Sequence, residues 1–387
     1  MSAQFIGRAS PGHATSAPGI VVTLTLAADV DPEGHDARTR TGVARRLAKL
    51  LNRQFAGEFD ASTDYAEPLY FVPSDTVPVQ HAARLGIASE HDLFGGVVSH
   101  AFAATKAITH PLIDGGAFAP QGWVPAFSRA VAASVLEGVT AFTRDDARRA
   151  VERQLEHGPV RVKRSTGVGG SGQHVVESTH ALDAALDDID DAEISCMGVV
   201  IEENLVDVTT FSVGRLGVGD FVVSYHGTQR LTRSNRGNEV YGGSSLSFVR
   251  GGFEALLDAA LPATLRTAVD QARTYDAAAQ AHLPDFIASR RNYDVMQGID
   301  ARGRRKSGVL EQSWRIGGAS GAEVAALEAF DADPSLTRVQ ATTTELYGES
   351  PAPPPDATVY FRDVDARVGF LTKYARVEPH ADTRRAR

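Results

Sequence analysis

Lys163 and the glycines that follow it are the residues best placed to do chemistry. In GPVRVKRSTGVGGSGQHVVE (residues 158–177), Gly167, Gly169, Gly170 and Gly172 fill four of six positions, with Ser171 among them. A run stripped of side chains lets backbone N–H groups approach an anion closely. Val160 and Val162 alternate with Arg161 and Lys163 ahead of the run, and Val175 and Val176 resume a β-branched stretch after it. The pattern predicts strand, turn and strand. A lysine on the strand leading in can place its ammonium on the same anion, and the simplest ligand for such a pair is a nucleotide polyphosphate. Gly167, Gly169 and Gly172 also spell G-x-G-x-x-G. A dinucleotide-binding turn must open a helix and be followed by an acidic residue at a strand end. Here a strand follows, and Asp187, Asp188, Asp190 and Asp191 lie in a polar stretch. A protein kinase needs H-R-D and D-F-G further on, and neither occurs. An ordinary hairpin turn is the bland alternative, because a lone glycine motif is a weak signal.

The second informative stretch is IASRRNYDVMQGIDARGRRKSGVLEQSWRIGGAS (residues 287–320). Tyr293–Ile299 and Ser307–Gln312 read as two strands joined by a turn at Asp300–Gly303. Glu311 and Ser313, two apart, share a strand face, and Asp294 can face them across the ladder. Two carboxylates and a hydroxyl on one face make a poor core but a good hard-cation site, because magnesium takes a few oxygen ligands, waters and phosphate oxygens. Arg315, followed by Gly317 and Gly318, adds a fixed cation beside it. Met197–Ile201 reads as a buried strand running into Glu202 and Glu203, which suits a cleft edge where charges stay wet. Lys106 is isolated in an apolar, helical-looking stretch, Ser99–Leu112, where a snorkelling surface lysine is the commoner case. Arg230, Arg233, Arg236, Arg290 and Arg291 could grip an anionic substrate or could simply form solvated faces. Arg230–Gly243 reads as a polar loop.

These residues need a chain able to position them, and the composition provides one. The chain has 387 residues, 43% hydrophobic and 22% charged, as in a globular protein of two or three domains. A single cysteine, Cys196, excludes a disulfide framework and cysteine-based zinc sites; lying in an apolar run, it is expected to be a small core residue. No apolar signal core opens the sequence and no run reaches transmembrane length, so a cytoplasmic location without membrane contact is the expectation. Net charge is −9 with scattered basic residues, which argues against nucleic acid as a partner.

In chain order, residues 1–18 are disordered by composition. Ile20–Leu26 predicts a buried strand, Asp36–Gln54 a helix with Val43, Leu47, Leu50 and Leu51 on one face, Leu69–Val72 a second strand and His81–Leu85 a second helix. That alternation predicts a small parallel α/β unit. Val135–Thr143 gives a strand, and Thr143 or Asp145 caps a helix through Leu155 that delivers the chain to the glycine run. His180–Ile189 reads as a helix, Thr209–Val213 and Phe221–Tyr225 as strands, and Phe253–Ala281 as a long helical region interrupted near Pro262. The stiff PAPPP segment introduces two further strand-like stretches, TVYFRD and VGFLTKYARV.

Taken together, a lysine, a lysine with a glycine run, Glu-Glu after a strand, and Asp294 followed by Glu311-x-Ser313-x-Arg315-x-Gly317-Gly318 resemble the ATP-grasp superfamily, which includes D-alanine–D-alanine ligase and biotin carboxylase. The likeness is to a biotin carboxylase-like bacterial branch and covers roughly Thr105 to Ser320. It implies an α+β / α/β chain: an ATP-grasp fold of two β-rich α+β subdomains enclosing ATP, preceded by a small parallel α/β domain. The implied domains are 19–104, 105–201 with the glycine-rich loop, 202–348 with the metal site, and an extension at 349–387 that could be an added hairpin, a dimer contact or a lid.

The resemblance further implies roles. Lys106 and Lys163 would hold ATP phosphates under Gly167, Gly169, Gly170, Ser171 and Gly172. Glu202, Glu203 and Leu205 would form the adenine hinge, with Asp207 toward the ribose. Asp294, Glu311 and Ser313 would hold one or two Mg2+ ions, or Mn2+, and Arg315 and Arg291 would be catalytic. Ser313 stands where an asparagine is typical of the family, and Trp314 where a proline is. The implied activity is ATP-dependent activation of a small-molecule carboxylate as an acylphosphate for attack by an amine. Bicarbonate activation, or ATP binding without turnover, are the alternatives, and a homodimer is compatible with either.

Overall fold

The structure, a computed structural model, describes residues 19–27, 31–167, 172–187, 189–349 and 352–379. The expectation of disorder for residues 1–18 lies outside these.

The chain opens with β1 (Ile20–Leu24), α1 (His35–Leu50), β2 (Gln54–Glu58), β3 (Leu69–Pro73), β4 (Val77–Pro78), α2 (Val79–Leu85) and β5 (Gly96–Val98). Strands β2, β1 and β3 form a parallel sheet, as the alternation of strand and helix predicts. The first helix is shorter than the sequence pattern suggests. It ends at Leu50, Asn52 turns the chain in the left-handed region (φ 52°), and Gln54 already pairs with Ile20 in β2. An amphipathic helix and the short alternating strand after it carry apolar residues at compatible spacing, so periodicity alone merged them.

Ser99–Leu112 is not one helix. It forms two 3₁₀ turns, Ala101–Ala104 and Lys106–Thr109. The Thr105 side chain caps the second by accepting from Ala107 N, and Thr140 Oγ donates to Ala107 O at 2.6 Å. Next come α3 (Pro125–Val131), β6 (Gly138–Ala141), α4 (Arg144–Leu155, capped by Thr143), β7 (Val160–Arg164), β8 (Gln173–Val176), α5 (Thr179–Leu186), α6 (Asp191–Met197) and β9 (Val199–Glu203). Their four strands make an antiparallel sheet in the order β6-β9-β7-β8. Helices α4, α5 and α6 close one core over it, with Val151, Leu182 and Ile194 against Val160, Val199 and Ile201. Cys196 is exposed on α6, not in the core, because Ile194 supplies the buried face of that short helix.

The remainder is β10 (Val206–Val218), β11 (Phe221–Arg233), β12 (Glu239–Arg250), α7 (Phe253–Leu257), α8 (Ala263–His282), β13 (Ile287–Ala288), β14 (Arg290–Ile299), β15 (Arg305–Ser313), α9 (Ser320–Ala332), β16 (Arg338–Tyr347), β17 (Thr358–Asp365) and β18 (Gly369–Val377). Eight of these strands form one sheet in the order β15-β14-β10-β11-β12-β16-β18-β17. Arg230–Gly243 is therefore not a loop but the far end of the β11–β12 hairpin, with only Ser234–Asn238 outside the strands. Its polar residues lie on strands with exposed faces, which hides the strand signal. The helical region divides at Pro262, as its position predicts. Helix α8 covers one face of β14 and β15 through Val269, Ala272 and Tyr275 against Tyr293, Val295 and Val309. The opposite face of β14 looks toward α9. The core under α1 runs on into Leu327, Phe330 and Val339, which joins the first unit to the large sheet.

Candidate active site

The carboxylate hairpin is built as its spacing predicts. β14 and β15 pair antiparallel with Asp294 directly opposite Glu311 and Asn292 opposite Ser313. A bulge follows, since Val295 opposes Val309. It lets Glu311 face with Asp294 while Val309 enters the core under α8. Trp314 is buried on that core side, its Nε1 donating to Tyr293 Oη at 3.2 Å, and so anchors the segment between Ser313 and Arg315.

Asp294 and Glu311 have unequal neighbours. Glu311 Oε2 lies 2.7 Å from Lys106 Nζ, whereas Asp294 Oδ1 accepts from a neutral donor, Gln229 Nε2, at 2.8 Å. Burial and the Glu311 carboxylate push the Asp294 pKa up to about 7. Lys106 is 4% exposed, far from a snorkelling surface lysine, and its Nζ also donates to Gly167 O at 2.7 Å. One ammonium thus ties the glycine run to the carboxylate hairpin. Gln312 holds the lysine's turn from below, donating to Thr105 O at 2.7 Å.

The base of the glycine run is fixed on one side by Thr166 and Arg164, both bonded to Glu193 of α6. Gly172 closes it with φ 65°, where an added Cβ would also meet Arg164 Cβ at 3.0 Å. Gly169, Gly170 and Ser171 lie outside the described residues.

Lys163 and Glu202 form a buried ion pair, each 1% exposed, completed by His110 Nε2 at 3.2 Å from Glu202 Oε2. A carboxylate can only accept, so Nε2 carries the proton. Burial alone would raise the Glu202 pKa, but the Lys163 ammonium and the His110 bond outweigh it and hold the carboxyl at about 2. His110 gave no sequence signal. Gly138 makes room for it, because a Cβ there would stand 2.7 Å from the imidazole. Glu203 turns the other way, accepting from Lys306 Nζ and from Glu137 N, each at 3.1 Å. Leu205 is buried just beyond the strand, and Asp207 is exposed with φ 50°.

The structure separates the two arginines. Arg291 projects to the α8 side, 3.5 Å from Asp276 and 3.6 Å from Glu90, away from the face of Asp294. Arg290 is the one on that face. It makes a two-pronged bond to Glu323 of α9 (2.8 and 2.9 Å) and donates to Ser313 O at 3.1 Å and Ser313 Oγ at 3.3 Å. Period-two alternation from Asp294 puts Arg290 on its face and Arg291, for which a catalytic role is expected from the sequence, on the other. Arg315 lies 3.4 Å from Asp75, in the loop after β3.

The donor set can be tested against a divalent cation. Among the described residues no group of three His, Cys, Asp or Glu side chains converges. Two opposed carboxylates, one with a raised pKa, leave excess negative charge for an ion that completes its shell with neutral oxygens, waters and phosphates, and this fits magnesium or manganese. Asp294 and Glu311 would hold it.

A family model described as "Protein of unknown function (DUF3182)" matches residues 23–375. The chain belongs to this family. No curated protein matches the sequence of this DUF3182 chain. Among solved structures, the biotin carboxylase domain of the Hydrogenobacter thermophilus 2-oxoglutarate carboxylase matches at 14% identity and TM-score 0.50, over 92% of this chain and 86% of that one. Phosphoribosylamine–glycine ligase from Thermotoga maritima matches at 13% identity and TM-score 0.48, over 94% and 93%. D-alanine–D-alanine ligase from Bacillus anthracis matches at 11% identity and TM-score 0.47, over 81% and 93%. The DUF3182 chain has the ATP-grasp fold. No helix among its described residues is long and apolar enough to cross a membrane.

Proposed function

We propose that the protein is an ATP- and magnesium-dependent ligase that activates a small-molecule carboxylate as an acylphosphate for attack by an amine. The observation that carries this reading is Lys106, whose buried ammonium joins Gly167 O to Glu311, directly across from Asp294. Phosphates lying over that ammonium would meet the glycine run on one side and the carboxylate hairpin on the other. The cation held by Asp294 and Glu311 would neutralise phosphate charge. Lys106 would hold the phosphate oxygens, and Arg290, through Ser313 and its pair with Glu323, would fix the hairpin end that leads to Arg315. Lys163 and Glu202 would shape the floor beside the hinge, where Leu205 would line the adenine pocket. Positioning and charge neutralisation of this kind supply most of the catalysis in phosphoryl transfer. The solved carboxylase domain of the same fold carries Mg-ADP and bicarbonate, so bicarbonate belongs among the acids to try.

The test is calorimetric titration with Mg-ATP, followed by a screen for ADP release over carboxylic acids and amines. Lys106→Met removes one charge-assisted bond and should weaken binding by roughly 2–3 kcal/mol, about 30- to 150-fold. Unchanged affinity in that variant would return the glycine run to an ordinary turn.

A further inference from the structure

The hairpin presents two carboxylate donors to a cation, and two neutral polar side chains, Asn292 and Ser313, share their face of the ladder. Ser313 Oγ is compromised, because Arg290 Nη1 donates to it at 3.3 Å and brings a guanidinium charge against the place where a cation would sit. Asn292 stands directly across the ladder from Ser313, and two residues before Asp294 on the same face.

A chain of hydrogen bonds sets which way the Asn292 amide points. Arg290 donates to both oxygens of Glu323, and Glu323 Oε1 also accepts the single proton of Tyr225 Oη at 2.6 Å. With that proton committed, Tyr225 Oη can only accept from Asn292, and the amide atom 3.1 Å away must be Nδ2. The same Nδ2 donates to Ser212 Oγ at 2.6 Å. No described residue donates to Asn292 Oδ1. Gly214, opposite Asn292 on β10, admits the Tyr225 ring; a Cβ there would meet Tyr225 Oη at 2.4 Å. The amide is therefore oriented by neighbours that do not themselves bind the ion, as supporting hydrogen bonds commonly orient metal ligands.

We propose that Asn292 Oδ1, not Ser313 Oγ, is the neutral protein ligand of the divalent cation held by Asp294 and Glu311. This rests on the nucleotide–metal reading above. Positions two apart on a strand are separated by roughly 7 Å, and side chains leaning toward a shared ion close this to the separation of about 3 Å between adjacent oxygens on a cation with bonds of 2.0–2.1 Å.

The probe is Mn2+ with the β,γ-imido analogue of ATP, followed by electron paramagnetic resonance. In the parent grown with 13C-asparagine, electron–nuclear double resonance should show a 13C coupling to the bound manganese, and Asn292→Ala should abolish it. The same substitution should weaken Mn2+ binding about 10-fold or more, while Ser313→Ala should leave it within about two-fold. Absence of the coupling in the labelled parent, which needs no variant to fold, overturns the assignment, as does a Ser313→Ala loss without an Asn292→Ala loss. A parent that binds no Mn2+ in the presence of the analogue overturns the functional reading itself and so stands apart from those outcomes.

Discussion

Asp294→Asn should abolish Mg-ATP binding and, at pH 8 without metal, raise the melting temperature of the protein. Both effects follow from one geometry. Asp294 faces Glu311 in register, the nearby ammonium of Lys106 lies on Glu311, and the side chain that donates to Asp294 among the described residues is the neutral Gln229 amide. Burial, then Glu311, raises the Asp294 pKa from 3.8 to about 7. A carboxyl raised in the folded state holds its proton where the unfolded chain has already released it. Stability therefore falls as pH rises from about 4 to about 7, and the full cost persists above pH 7. Asparagine is neutral, can keep its oxygen toward Gln229, and removes that cost. A metal-bound carboxylate must be ionised, so Mg-ATP binding by the parent should release a proton below pH 7 and weaken as the pH falls. Calorimetry in buffers of different ionisation enthalpy reads the proton, and thermal melts at pH 5 and pH 8 read the stability. A variant that melts lower than the parent at pH 8, or binds Mg-ATP as the parent does, would falsify this account of the pair.

The second large effect is expected at Lys163. Its ammonium and the Glu202 carboxylate are both 1% exposed, with His110 as the third member. Lys163→Met leaves a buried carboxylate facing only a histidine, a change that costs roughly 3–5 kcal/mol. Replacing both partners by apolar residues is often neutral, so Lys163→Met with Glu202→Met should recover much of the loss in urea unfolding. Neither variant should bind ATP well, which separates the pair's part in stability from its part in binding. The pair also predicts an acid response. The Glu202 pKa is depressed from 4.5 to about 2, so its stabilisation is present above 4.5 and is lost as pH falls toward 2. The double variant should lack this component of acid unfolding. If the single and double variants were equally destabilised, the pair would not be acting as a unit.

Much of the site was legible because it depends on local periodicity. Alternation along a strand puts Glu311 and Ser313 on one face, and the turn at Asp300–Gly303 brings Asp294 opposite them; β14 and β15 have that register. The same rule could have chosen Arg290 over Arg291, because Arg290, Asn292 and Asp294 share one face. Other features left no local trace. Lys106 opens the second of two 3₁₀ turns that together mimic a helix in composition, and Cys196 looks like core until α6 is seen to bury Ile194 instead.

By itself the sequence determined the strand–turn–strand around Lys163, the carboxylate hairpin, the parallel first unit and the break at Pro262, since each follows from spacing of two or 3.6 or from the chemistry of a turn. Only the tertiary structure decided which charges meet: Lys106 with Glu311 and Gly167, Lys163 with Glu202 and His110, and Arg290 with Glu323. Those partners lie far apart in the chain and are brought together by the packing of whole sheets and helices. Burial there raises the cost of any unpaired charge, and this is why the pairs form where they do.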